Sequence, residues 1–400
     1  MRLGGTLMLP GPGRSVRLAR GVVTLEGGRV LSVVETEELG GLDLGREGAV
    51  ICPGFIDTHL HLPQFDSIGI DGLELLTWLD RVIFPAECRW EDTDYAGAMT
   101  ERVLDQLVSF GTTSFAAYAT VHHEAAKQAQ QIIADRGHRA LVGQVLMDRN
   151  APTELTRPAK QLIAEAPRFA PIGRTEPTVT PRFAISCSDE LLQAAGELTL
   201  KTGWAMQTHL SETVPELEFI SELYDGTPYV EVYERAGLLG PRSIMAHGVW
   251  LKPEELATLK KTKSIIAHCP TANLFLTAGS HDRLGVREAG VLASLGSDCA
   301  GGPDRSMVRV ARAMIETAKN RAADPATASE AWWQITAGNA EVLGWSQTGR
   351  LEAGCEADLL VIEPNIRWSD TPDPLGTLLY GWDDRWLSRA VVNGAVVYEA

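Results

Sequence analysis

The chain has 400 residues, a formal net charge of −16, 44% hydrophobic residues and a mean hydropathy of −0.05. That is the profile of a globular protein too long for one ordinary compact core. So acidic a surface repels phosphate backbones and anionic bilayers, which excludes nucleic acid and membranes as expected partners.

Residues 1 to 50 are rich in Gly and Val with short alternating runs such as "GVVTLEGGRVLSVVE", the pattern of hairpin strands. The far end reads alike: "RAVVNGAVVYEA" carries β-branched runs around an Asn-Gly turn signal. Residues 1–50 and 351–400 are therefore expected to build one small β-sandwich domain from both chain ends. Between them stand eight short apolar runs: "AVICPGFIDTHLH", "TTSFAAYA", "ALVGQVLMD", "TVTPRFAISC", "WAMQTHLSE", "SIMAHGVWL", "SIIAHCP" and "VLASLGSDCAGG". Amphipathic stretches such as "DELLQAAGELTLKTG" fill most gaps and end at a helix-stopping Gly. Eight β-α units in series predict an α/β fold, a (β/α)8 TIM-like barrel over 51–350.

No apolar run approaches the ~18 residues of a membrane helix, and Gly and Pro break the opening "MRLGGTLMLPGPGRS" before a signal-like core forms. The six scattered cysteines form no C-x-x-C, which argues for free thiols in a reducing compartment. The expected location is the cytoplasm.

Barrels of this kind gather their active groups at the C-terminal strand ends. His59 and His61 lie two residues apart, on one face of the first strand. Arg182 falls in the fourth strand, His209 and Glu212 close the fifth, His247 the sixth, His268 the seventh and Asp298 the eighth. A buried ring of imidazoles beside a carboxylate is costly unless something binds it. Three imidazoles and one carboxylate without thiolate suit Zn²⁺ or Fe²⁺. His59, His61, His209 and Asp298 are the expected ligands of a single ion, since the fourth strand carries no lysine to bridge two. A bound ion makes water acidic enough to attack an sp² carbon. Glu212 is then the expected proton shuttle. His247 orients the attacking oxygen and stabilises charge, and Asp298 accepts a proton while it ligates.

The strings "DTHLH", "HLSE", "AHG" and "GSD" resemble the single-metal deaminase branch of the amidohydrolase superfamily. "HLPQF", "LLTWLDRVIFPAE", "TPRFAISCS", "MAHGVWL" and "IAHCPTANLFL" narrow the resemblance to its guanine deaminases, over nearly the whole chain. The resemblance implies a zinc-dependent aminohydrolase of purine catabolism, converting guanine to xanthine and ammonia by attack at C2. It implies that Gln64, Arg182 and the Phe183 backbone hold the purine beside Glu212 and His247, with Arg182 on the O6/N7 edge and Gln64 on the N1/N2 edge. It also implies a homodimer. A pterin or other 2-amino-4-oxo ring shares that edge and is the alternative substrate; a non-catalytic barrel scaffold is a remote alternative, since such relatives lose ligands.

Two loops depart from the family pattern. "AGSHDRL" places Asp282, and "GGPDRSM" places Arg305, where apolar groups are usual. The two charges are read as a pocket rim, paired with each other, merely solvated, or reading a polar substituent on a larger ring. Trp78 packs in the core or walls the pocket. His122, His123 and His268 read as structural, His138 and His281 as surface residues.

Overall fold

The structure, a computed structural model, describes residues 1–321 and 326–400. Strands β1 (Arg2–Pro10), β2 (Val16–Glu26), β3 (Arg29–Glu35) and β4 (Leu44–Pro53) come first. β5 (Phe55–His61), β6 (Thr112–Tyr118), β7 (Arg139–Gly143), β8 (Val145–Leu146) and β9 (Thr175–Pro181) follow. Then come β10 (Ala205–Leu210), β11 (Ser243–His247), β12 (Ile265–His268) and β13 (Leu292–Leu295). β14 (Leu359–Ile362), β15 (Leu387–Val392) and β16 (Ala395–Glu399) end the chain.

Both chain ends contribute to a single seven-stranded mixed sheet, in the order β16-β15-β14-β4-β1-β2-β3. Its turns follow from composition. Asn393 and Gly394, at φ 50° and 80°, join β15 to β16, and Gly27 and Gly28, at φ 56° and 77°, join β2 to β3. Two consecutive positive φ values match the twist of the flanking strands, which is why Asn-Gly and Gly-Gly sit there. Leu3, Leu7, Val23, Ile51, Leu359 and Val391 form the buried side of this sheet.

The other sheet runs β13-β12-β11-β10-β9-β7-β6-β5, with β8 paired to β9. All eight apolar runs contribute to it. The third, expected as one strand, breaks after Gly143, where a Cβ would stand 2.1 Å from the Thr178 carbonyl oxygen. The intervening helices are locally specified. Helix Asp189–Thr202 is capped by the Ser188 hydroxyl, has Asp189 and Glu190 in its first turn and Lys201 in its last, and stops at Gly203 with φ 67°.

The barrel closes by chain returning from β13 to β5. The Asp298 N–H donates to the His59 carbonyl at 2.8 Å, and the His61 N–H donates to the Cys299 carbonyl at 2.9 Å. The Thr58 hydroxyl donates to the Leu295 carbonyl at 2.9 Å.

The chain forms two compact units. One contains Met1–Asp57, Leu104–Ser114 and Arg305–Ala400, the other Thr58–Val103 and Phe115–Asp304. Residues 305–350, assigned to the barrel from sequence, thus group with the sheet unit. Within that unit the Asn339 amide donates to the Ile56 carbonyl at 2.7 Å, and the Val16 N–H donates to the Ser329 hydroxyl at 2.9 Å.

Gly296 lies at the closing seam, where a Cβ would come 2.6 Å from the His59 Cβ and 2.9 Å from its backbone nitrogen. Gly296→Ala should destabilise the protein by about 1–3 kcal/mol through overpacking. Urea unfolding checks this; an unchanged midpoint would show that the seam has room to give.

Candidate active site

The C-terminal ends of the barrel strands bring six polar side chains together. Pleating puts His59 and His61 on one face of β5. His209 comes from β10, and His247 is the last residue of β11. Glu212 lies two residues past β10, and Asp298 three past β13. His59, His61, His247, Glu212 and Asp298 are all at most 4% exposed. Two of these residues sit in strained backbone: His247 at φ 72° and Asp298 at φ 50°, a region non-glycine residues rarely adopt.

Asp298 stands at the centre. Its Oδ1 is 3.3 Å from His59 Nε2 and 3.6 Å from His61 Nε2, and its Oδ2 is 3.9 Å from His247 Nε2. His61 Nε2 is 3.1 Å from His209 Nε2, and His247 Nε2 is 3.4 Å from Glu212 Oε2. Neighbouring groups fix two tautomers. The His209 Nδ1–H donates to the Arg182 carbonyl at 2.7 Å, and the His247 Nδ1–H donates to Asn273 Oδ1 at 2.9 Å. Both Nε2 lone pairs therefore face the centre. Tyr118, at the end of β6, stacks on His61 with ring centroids 4.5 Å apart. Neither Asn273 nor Tyr118 was picked out from sequence, because neither type signals chemistry by itself.

Burial, reinforced by the neighbouring imidazoles, pushes His59, His61 and His209 well below the usual histidine range. They are neutral, as ligands must be. Burial raises Glu212 well above the usual carboxylate range, and the Asp298 charge adds to this. Asp298 is itself raised to about 6 by burial, against the pull of His247 and Arg182.

This donor set fits a divalent metal ion. Nitrogen and oxygen donors at bonds of about 2.0–2.2 Å stand roughly 3.3–3.6 Å apart around a tetrahedral centre. The His59–Asp298 and His61–Asp298 separations of 3.3 and 3.6 Å match that spacing, and His61–His209 is slightly tighter at 3.1 Å. His59, His209, His247 and Asp298 can each offer one ligand atom, all within 4.8 Å of one another. Four imidazoles thus crowd one carboxylate. They divide by partner: His59 and His61 share Oδ1 and His61 meets His209, whereas His247 faces Oδ2 and Glu212.

Beside this centre lies a cleft lined in part by Gln64, Trp78, Arg182, Phe183, Glu212 and His247. Arg182 is the first residue past β9, and Gln64 lies three residues past β5. Both are held by Glu87, which sequence reasoning did not identify. Gln64 Nε2 donates to Glu87 Oε1 at 2.9 Å, and Arg182 Nη1 donates to the same oxygen at 2.6 Å. Trp78 lines the cleft as well as packing in the core, and its indole N–H donates to the Ile70 carbonyl at 3.1 Å.

The two charged loop residues have local partners. Asp282 caps helix Arg283–Ala289 by accepting the Gly285 N–H at 3.1 Å. Arg305 donates to Gln106 Oε1 and lies over the Phe110 ring at 4.7 Å. Among the described residues, neither is part of the cleft lining. His138 and His281, expected at the surface, are buried: His138 packs on Phe115 at 5.6 Å, and His281 stacks on His268 at 4.3 Å. His122 contacts Arg157 at 3.2 Å and His123 contacts Gln144 at 2.9 Å.

His209→Ala should abolish stoichiometric metal binding, since it removes a donor whose tautomer is already fixed. Metal analysis of purified protein checks this: about one divalent ion per chain is expected before the substitution, and full retention after it would exclude His209 as a ligand.

Residues 50–397 match the amidohydrolase family model. The guanine deaminase of Dictyostelium discoideum is 35% identical over 382 residues, spanning 90% of this chain and 84% of that protein. The solved structure of the E. coli guanine deaminase superposes with a TM-score of 0.94 at 30% identity, over 100% of this chain and 99% of that one. A guanine deaminase from C. acetobutylicum, solved with guanine in its active site, gives 0.91 at 28% identity over 99% of each chain. Fold, donor set and relatives agree: this chain belongs to the amidohydrolase family, among its guanine deaminases.

Proposed function

We propose that the protein deaminates guanine, with water replacing the 2-amino group to give xanthine and ammonia. The observation that carries this reading is one cleft with two walls. Arg182 and Gln64 form a hydrogen-bonding wall, and Glu212, His247 and Asp298 face the same space beside a metal-type donor set. We assign His59, His61, His209 and Asp298 as ligands, because three contacts among these four residues fall at 3.1–3.6 Å. Zinc is the ion of this reading, and Fe²⁺ suits the same donors. When bound, the ion supplies Lewis-acid activation of water.

The residues divide the remaining work. Arg182 donates to the carbonyl edge of the ring, Gln64 bonds the N1/N2 edge, and the Phe183 backbone adds a contact. Glu212, raised by burial well above the usual carboxylate range, is favoured as a proton donor and delivers a proton to N3 as the C2–O bond forms. His247, its Nδ1–H fixed on Asn273, turns its Nε2 towards the attacking oxygen. Asp298 accepts a proton from water. Asp298 returns that proton to the 2-amino group, the new C2 hydroxyl gives its proton to Glu212 as it becomes a carbonyl, and the C2–N bond breaks with ammonia leaving.

The reading extends to a cytoplasmic homodimer of purine breakdown. Family resemblance supports the dimer, and six free cysteines support a reducing compartment. No helix among the described residues is long and apolar enough to cross a membrane.

Guanine turnover, followed by ultraviolet absorbance and ammonia release beside a pterin control, tests the activity. Glu212→Ala should lower kcat by about 10²–10⁴-fold with the metal retained. Absence of guanine turnover by metal-replete protein would overturn the reading, and turnover of the pterin alone would move it to that ring.

A further inference from the structure

Glu87 is a buried carboxylate, 3% exposed, on the short helix Phe84–Cys88. It lies 23 residues from Gln64 and 95 from Arg182 in sequence, yet bonds both. A carboxylate in this setting only accepts. The Gln64 atom against it is therefore the NH2 group, because the amide oxygen would meet like charge. Arg182 Nη1 reaches both carboxylate oxygens, and its guanidinium carbon lies 5.5 Å from the Phe84 ring centre. Both captured side chains line the cleft. Both are nearly sealed from solvent, at 2% exposure for Gln64 and 3% for Arg182.

We propose that Glu87 is a positioning residue that sets the donor–acceptor polarity of the substrate cleft. By holding the Gln64 NH2 it leaves the Gln64 carbonyl as the acceptor offered to a ring. By holding Arg182 through Nη1 it leaves the other guanidinium N–H groups as donors. The inference rests on the deaminase reading of the same cleft. A wall of this polarity selects a ring whose N–H stands beside a carbonyl, the lactam edge that guanine presents at N1 and C6. A ring with the opposite edge, such as 2,6-diaminopurine with its N1 lone pair and 6-amino group, sets acceptor against acceptor and donor against donor. Sites built on buried hydrogen bonds discriminate strongly, because a mismatch leaves polar groups unpaired.

Glu87→Gln tests this with nearly unchanged volume. The introduced amide can donate as well as accept, so the Gln64 side chain is free to turn over. With metal content matched, the variant should raise KM for guanine about tenfold or more and change kcat by less than about threefold. Its preference for guanine over 2,6-diaminopurine, read from kcat/KM or inhibition constants, should fall about tenfold or more. Glu87→Asp, which restores a carboxylate, should recover part of that preference. Equal losses for both rings would overturn the proposal, since general loosening cannot distinguish them. A substrate-free arm keeps the contact separate from the activity. Thermal midpoints of Glu87→Gln, Gln64→Leu and the double variant should be non-additive, and additive losses would overturn the clamp. Non-additive midpoints in a protein that never turns over guanine would uphold the clamp and remove the deaminase reading instead.

Discussion

The seam that closes the barrel is the constraint on which the site depends. Asp298 contributes to it twice. Its backbone N–H binds the His59 carbonyl at 2.8 Å, and its carboxylate faces His59 and His61 at 3.3 and 3.6 Å. Closing the ring of strands and assembling the donor set are thus one event. The geometry is held against local preference, with Asp298 at φ 50°, and single residues in such regions cost of order 1–3 kcal/mol. Gly296 removes the Cβ that would otherwise meet His59. A strained residue and a missing side chain, two positions apart, let two strand ends approach closely enough to share one cluster of donor atoms.

Buried polar groups around the cleft fall into two classes. Arg182, Gln64 and Glu87 satisfy one another. His209 and His247 are satisfied through Nδ1, by a backbone carbonyl and by Asn273. These bonds orient. The second class has polar atoms without a hydrogen-bond partner among the described residues: His247 Nε2 and Glu212 Oε1. Buried polar atoms are rarely left so. These two atoms lie beside Asp298, in the part of the cleft where the proposed reaction places water and the ring. Burial also moves the two kinds of group in useful directions. It holds His59 and His209 well below the usual histidine range and raises Glu212 well above the usual carboxylate range.

The legible part of the sequence was the part governed by period and by turn chemistry. The i, i+2 spacing of His59 and His61 needs only the alternation of a strand, and Asn393-Gly394 needs only the sign of φ. Repetition of strand-end polar residues made the ring readable before any geometry. What sequence concealed is what tertiary contact decides. Glu87 has no periodic signature: it follows a run of 3-10, α and π turns over Leu62–Ile83, and its partners are distant in sequence. His138 and His281 sit among polar neighbours, so they read as exposed, but ring contacts with Phe115 and His268 bury them. Residues 305–350 continue a helical pattern, and nothing local shows that Asn339 and Ser329 bond to Ile56 and Val16.

The two walls of the cleft are therefore built by different physics. The wall assigned the chemistry in this proposal is made of strand ends, fixed by the sheet's own hydrogen bonds and by the seam. The wall proposed to read the ring is less regular. Gln64 and Trp78 come from a segment containing a π turn at Leu79–Ile83, the sort of irregularity that recurs at functional sites. Such a segment has no ladder to hold its side chains in place. A buried ion pair supplies that rigidity through Glu87, and it does so from one carboxylate that reaches a loop residue and a strand-end residue together. Buried pairs add little net stability but make departures from one arrangement expensive. That is the property a recognition wall needs: its energy lies in specificity of geometry, while the strand-end wall draws its stability from the fold itself.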